Sequence, residues 1–283
     1  MDRTDFLRVG SRGAGVCLKA GVTTRVSPLE ANQGVYEVRI NGKRVKRAPV
    51  SEWVVRHMLR LAQTSPALVL EHQVEVPIGC GYGTSASAAL SLAFALNDLL
   101  DLNLSRVEAS QIAHLAEVNC NTGLGTVSAE VRGGFEIRLE PGAPGVGETR
   151  SIQTNGPMTV VSLCLGPLET ASFLSDPNFA LRVNGIGKKM VHELNRNPDS
   201  GRFLELSSQF TSQTRLATPR MKQILDLARE GHQEFAMAML GETIFTVVPT
   251  GEEAEVVRHL GTIGSESSSI IVSEVEPQGA RPL

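Results

Sequence analysis

The stretch Pro77-Ile-Gly-Cys-Gly-Tyr-Gly-Thr-Ser-Ala-Ser-Ala88 narrows the possible folds more than any other part of the chain. It follows the alternating Val74 and Val76 and leads into Ser85–Leu100, which is dense in Ala, Leu and Ser and apolar nearly all round. That pattern predicts a strand, a glycine turn and a helix buried in the core. Gly79, Gly81 and Gly83 let main-chain amides face outward with no side chain in the way. Thr84 and Ser85 are placed to cap the helix, whose free amides and dipole favour an anion, so the segment reads as a phosphate cradle. The bland alternative is a glycine turn before a helix, and the local signal alone does not decide between them.

Two better-known phosphate loops fit poorly. No Gly-Lys-Ser/Thr follows, which rules out a Walker A loop. Gly81-Tyr-Gly83-Thr-Ser-Ala86 fits the loose dinucleotide fingerprint, but that fold needs a second parallel strand after the helix. Here Asp101-Leu-Asn-Leu104 passes straight into another helix, opened by the capping box Ser105/Glu108 and expected to run to about Asn119.

Around this segment the chain alternates short apolar runs with helical patterns, a mixed α/β reading. Strands are expected at 15–26, 35–40 and 69–76, with Asn41-Gly42 as a turn and a helix over 51–63. A further strand is expected at Phe135–Glu140, followed by the breaker-rich loop to Gly147. The domain boundary is placed just after it, giving domains 1–150 and 151–283. The second half reads as a smaller α+β unit: a strand at 158–165, three or four helices between Asn184 and Leu240, and closing strands at 244–248 and 269–275.

The balance of 27 Lys plus Arg against 30 Asp plus Glu, with the basic residues scattered, argues against a nucleic-acid partner. Lys43 to Arg47 is the one basic run, and it reads as a solvated hairpin end. Cys17, Cys80, Cys120 and Cys164 form no short-spaced pair, so they read as reduced, mostly buried thiols. The charged start leads to no signal-like run, no uncharged stretch reaches the length of a membrane span, and the expected compartment is the cytoplasm.

Pro77, Gly79, Gly81, Gly83, Thr84, Ser85 and Ala86 resemble the phosphate loop of GHMP kinases. Gly10-Ser-Arg-Gly-Ala-Gly-Val-Cys-Leu18, Gly21-Val-Thr23, Ala113-His-Leu-Ala-Glu-Val-Asn119, Thr122-Gly-Leu-Gly-Thr-Val127, Gly133-Gly134 and Ala238-Met-Leu-Gly-Glu-Thr-Ile-Phe245 resemble the archaeal pantoate kinases within that superfamily. The resemblance covers most of the chain. It implies an N-terminal domain like the second domain of ribosomal protein S5, a ferredoxin-like C-terminal domain, ATP with Mg²⁺, and phosphorylation of the 4-hydroxyl of pantoate for coenzyme A synthesis. A homodimer is also implied by resemblance only.

The same resemblance assigns roles. Gly79, Gly81, Gly83, Thr84, Ser85 and Ala86 would hold the nucleotide, and Glu117 with the Ser85 hydroxyl would hold Mg²⁺. Ser11, Arg12, His114 and Arg138 would bind the substrate, an Arg being the natural partner of its carboxylate. Of the two arginines, Arg12 has the better local argument, because the glycines around it leave room for a ligand. The structural alternatives are an exposed acid at Glu117, a satisfied core imidazole at His114 and a polar strand face at Arg138.

The chain also departs from the family. Thr126 stands where many GHMP kinases place an aspartate before the Gly-Gly pair, so the usual general base is missing. Thr126 then either orients the attacking hydroxyl, in a transition state that asks little of a base, or marks a reduced or altered activity. The Pro-Gly-His-Ile-Thr-like strand of pantoate kinases is not found in Met1–Val9, which suggests a shortened start. The third superfamily motif is not recognisable, and Gly241 and Gly264 stand near where a relic would lie. The alternatives are another GHMP kinase acting on a homoserine-like hydroxy acid, or a homologue that binds ATP without catalysis.

Overall fold

In the computed structural model, which describes residues 3–30, 34–168, 177–231 and 233–282, the strands fall into three sheets. The first has the order β2 (Val22–Pro28), β5 (Leu68–Val74), β3 (Tyr36–Ile40), β4 (Lys43–Arg44). β3 and β5 run parallel and the other pairs antiparallel. Asn41 and Gly42 both adopt positive φ, 49° and 77°, and so make the tight turn of the β3–β4 hairpin.

One face of this sheet is covered by α2 (Pro49–Leu61), α3 (Thr84–Leu99) and α4 (Arg106–Cys120). Leu68 and Leu70 of the sheet pack with Val54 and Met58 of α2 and with Leu90 and Leu92 of α3. Ala109, Ala113 and Ala116 of α4 close the same core, their short side chains letting the helix approach α3. The Ser105/Glu108 capping box is formed as expected.

The second sheet joins β1 (Gly13–Val16), β6 (Phe135–Glu140) and β7 (Glu148–Ile152). The single strand expected over 15–26 is therefore two strands in two sheets. Between them Leu18 bridges to Val275, which carries the chain away from β6 before Val22 pairs with Val74. α5 (Thr126–Arg132), β7 and the short α1 (Arg3–Arg8) were not expected.

The third sheet has the order β11 (Ser269–Glu274), β8 (Met158–Gly166), β10 (Glu242–Pro249), β9 (Ala236–Met237). β8 is buried along seven of its nine residues, which explains why its sequence is apolar but for Thr159 and Ser162. Among the described residues three helices follow it: α6 (Pro177–Arg196), which begins before the expected Asn184, α7 (Ser200–Thr214) and α8 (Pro219–Arg229). A fourth, α9 (Glu253–Ile263), lies between the last two long strands. Residue 150 falls inside β7, and one core cluster joins Phe135 and Ile152 to Val160, Phe203 and Val247. The second and third sheets thus share packing across that point.

Candidate functional site

The glycine turn leaves β5 and enters α3 with Gly79, Gly81 and Gly83 all in the left-handed region, at φ 77°, 88° and 72°. A side chain is disfavoured at each on conformational grounds, and crowding adds to this at Gly81 and Gly83. A Cβ on Gly81 would press on Ala238 and Met239, and one on Gly83 would lie 2.5 Å from Cγ2 of Thr126. Among the described residues, no hydrogen bond is formed by the main-chain N–H groups from Gly79 to Ala86, and Gly79 is exposed. Gly83, not Thr84 or Ser85, is the N-cap of α3, and no side chain caps it. Thr84 and Ser85 are the first helical residues, so the expected capping role is corrected: their amides add to the row of free donors.

The turn is held from behind by the C-terminal half. The hydroxyl of Thr243 donates to the Cys80 carbonyl at 2.7 Å, and Tyr82 shares a 2.8 Å hydrogen bond with Ser162. Gly241 lies so close that a Cβ there would overlap the Cys80 carbonyl. Of the two glycines considered as relics of a third motif, Gly241 is the one against the turn, whereas Gly264 ends α9 beside Ser268 and Leu163.

Glu117 comes from the buried face of α4 and is 3% exposed. Its Oε1 accepts hydrogen bonds from Ser85 Oγ at 2.5 Å and from Thr122 Oγ1 at 2.6 Å. Burial pushes this carboxyl above its ordinary range, against the pull of those two hydroxyls. Its Oε2 reaches the place a Cβ of Gly123 would occupy, with Thr126 Oγ1 4.0 Å from the same point. Ser85, Glu117, Thr122 and Thr126 therefore surround one corner of the glycine turn. A carboxylate and hydroxyls are the hard oxygen donors that suit Mg²⁺.

A second carboxyl stands nearby that sequence reasoning did not single out. Glu130, one turn after Thr126 on α5, accepts from Ser87 Oγ at 2.5 Å, and its Oε1 lies 3.3 Å from the Cβ position of Gly83. Part of the residue reaches the surface, but its Oε2 is sealed from solvent and without a partner. Enclosure of the carboxyl, reinforced by the charge of Glu117, pushes it up to about 8. The sequence signal was no more than the spacing from Thr126, and the contact with Ser87 spans 43 residues.

Ser11 and Arg138 meet beside Gly125. A Cβ on Gly125 would clash with Ser11 Oγ and lie 2.8 Å from Arg138 Nε, and the Ser11 N–H is fixed by the Leu124 carbonyl at 2.9 Å. The two other expected substrate residues sit differently. Arg12 is exposed and ion-paired with Glu140 at 2.7 Å, so its room is taken up by a surface partner. Arg138 is ion-paired as well, with the buried Glu136, but it is the arginine that lies beside Ser11. His114 is 1% exposed, with Nε2 3.3 Å from the Phe6 carbonyl of α1, and burial holds its pKa below the ordinary value.

Comparison with known proteins places the fold in a family. Residues 48–134, which span α2 to the Gly133-Gly134 pair, match the GHMP kinases N terminal domain. The chain is 30% identical over 241 residues to the pantoate kinase of Methanocaldococcus jannaschii, covering 85% of this chain and 84% of that protein. It is 32% identical over 261 residues to the pantoate kinase of Thermococcus kodakarensis, covering 90% and 84%. The solved structure of a phosphotransferase related to the CoA biosynthesis pathway superposes with a TM-score of 0.84 at 27% identity, covering 98% of this chain and 90% of the other. With its mixed α/β GHMP kinase fold and this degree of identity, the chain belongs to the pantoate kinase family of the GHMP kinases.

Proposed function

We propose that this chain transfers the terminal phosphoryl group of ATP to the 4-hydroxyl of pantoate, a step of coenzyme A synthesis, and that it does so in the cytoplasm. The observation that carries the reading is the row of unpaired amides from Gly79 to Ala86 at the start of α3, within a chain of this family. Such a row is a ready anion site, and the helix dipole adds to it.

The reaction forms a bond between the acceptor oxygen and phosphorus and breaks the bond to the leaving diphosphate, while the acceptor hydroxyl gives up its proton. Its loose transition state is governed by positioning and charge neutralisation. Glu117 and Ser85 would hold Mg²⁺, which neutralises phosphate charge when bound. Thr126, beside Glu117 and Gly83, is positioned to orient the acceptor hydroxyl, and an aspartate at this place is not demanded by such a transition state. Ser11 and Arg138 would receive the acceptor's carboxylate. Arg12 and His114 would shape the wall behind it, the first through Glu140 and the second through α1.

Purified protein with ATP, Mg²⁺ and a panel of hydroxy acids tests the reading. ADP release with pantoate and not with homoserine is expected. Release with homoserine instead would move the substrate assignment, and a melting temperature raised by ATP with no turnover on any acceptor would refute catalysis.

A further inference from the structure

β1 and β6 pair so that Gly13 lies opposite Arg138 and Gly15 opposite Glu136. Residues two apart on a strand share a face, so the two glycines form a bare track beneath two charged side chains. The side chains lie down on it: a Cβ on Gly13 would stand 2.7 Å from Arg138 Nη2, and one on Gly15 2.8 Å from Glu136 Oε1. Phe135 and Ile137, on the other face of β6, enter the hydrophobic core. The strand is thereby fixed from below.

Glu136 is fully buried and ion-pairs through Oε1 with Nη1 of Arg138. An arginine guanidinium has two edges with paired donors, Nη1–Nη2 at its end and Nε–Nη2 at its side, and this pairing engages Nη1. The side edge, Nε with Nη2, is the fork that matches two carboxylate oxygens. Nε is sealed from solvent, has no partner and faces Gly125 and Ser11. A buried N–H without an acceptor is costly, and a bound carboxylate would supply one.

We propose that Glu136 is a positioning residue, which clamps Nη1 of Arg138 over the glycine track of β1 and so holds the guanidinium beside Ser11 for the carboxylate of the acceptor. This rests on the reading that Arg138 receives that carboxylate. Glu136 touches no substrate atom; it acts through Arg138 alone. A carboxylate does this better than a neutral acceptor, because it also offsets the buried charge of the arginine while leaving its side edge free.

Steady-state kinetics on five variants, one of them double, test it. Glu136→Ala is expected to raise the KM for pantoate by about tenfold or more, with kcat and the KM for ATP changed by less than about threefold. Glu136→Gln, which still accepts from Nη1, recovers much of that loss. Gly15→Ala displaces the Glu136 carboxyl without removing it and gives the same selective rise in the KM for pantoate, a check that stands if Glu136→Ala fails to fold. In Arg138→Ala the KM for pantoate rises, and adding Glu136→Ala raises it no further. If Arg138→Ala leaves that KM unchanged, the assignment of the carboxylate to Arg138 fails. If Arg138→Ala raises it while Glu136→Ala and Gly15→Ala do not, or if the double variant multiplies the two effects, the positioning role alone is overturned.

Discussion

Replacing Glu130 by glutamine exchanges a carboxyl that the fold keeps protonated for a neutral side chain of the same shape. In the folded protein this group titrates at about 8, against 4.5 for an unperturbed glutamic acid. Between those values folding must take up a proton, at a cost of about 1.4 kcal/mol per pH unit. At pH 7 that cost reaches roughly 3 kcal/mol, or about half as much if the site relaxes on ionisation. The sign follows: the penalty is absent below 4.5, grows as pH rises and is complete above 8. Glutamine does not incur it and still accepts from Ser87 Oγ, so Glu130→Gln should raise the melting temperature at pH 7 by about 3 to 6 °C. Thermal melts of both proteins from pH 5 to 9 give the assay. The gap should be near zero at pH 5, widen to pH 8 and then level off. A gap that does not change with pH, or a variant less stable than the parent at pH 8, would refute the reasoning. The neutrality of Glu130 also keeps a negative charge away from Gly83, on the turn proposed to take a triphosphate.

Three other outcomes are expected. Glu117→Ala should lower turnover by at least about a hundredfold, since it removes the carboxylate proposed to hold the metal; near-normal turnover with unchanged Mg²⁺ dependence would remove that role. Gly241→Ala would drive a methyl into the Cys80 carbonyl and shift the glycine turn, so the KM for ATP should rise by about tenfold while the KM for pantoate moves far less. An unaltered KM for ATP would show that the turn does not depend on this contact. His72 is 1% exposed, bonded at 2.8 Å to Thr24 and at 3.0 Å to Ser51, and burial depresses it to about 4. Its share of stability is complete above about 6.5 and is lost as pH falls toward 4, by roughly 2 kcal/mol at pH 5. Urea unfolding between pH 7 and 4.5 measures this slope, which His72→Gln should flatten.

What the sequence disclosed is local. Gly79, Gly81 and Gly83 were readable as a turn because their torsions need glycine, and the Ser105/Glu108 box because its partners are three residues apart. What it concealed depends on chain segments that meet from afar. The 15–26 stretch looked like one strand because β-branched residues run through it, and nothing local shows that Leu18 bridges to Val275. Arg12 looked roomier than Arg138 because Gly10 and Gly13 flank the Ser11-Arg12 pair. Which acid each arginine meets, Glu140 for Arg12 and Glu136 for Arg138, follows from the fold and not from the neighbouring residues. α5 escaped notice because it has seven residues, two of them buried, too few to show a helical period. Its Thr126 was found by counting back from Gly133-Gly134, while Glu130 on the same helix was not.

The glycine turn belongs to both halves of the protein, and this bears on how it can work. Its sequence lies between β5 and α3, yet Thr243 holds the Cys80 carbonyl, Ser162 holds Tyr82, and Ala238, Met239 and Gly241 pack against Gly81 and Cys80. Thr243 and Ser162 are neighbours across the β8–β10 pair, since Thr243 aligns with Cys164 and Phe245 with Ser162. Anchoring the carbonyl side of the turn to that sheet leaves the amide side unengaged, so the donors are set before any ligand arrives. Preset donors cost little reorganisation when an anion binds, which is the economy that electrostatic catalysis requires. The same arrangement makes the third sheet a support of the proposed nucleotide site, although the residues proposed to hold the phosphates, Gly79 to Ala86, precede it in the chain.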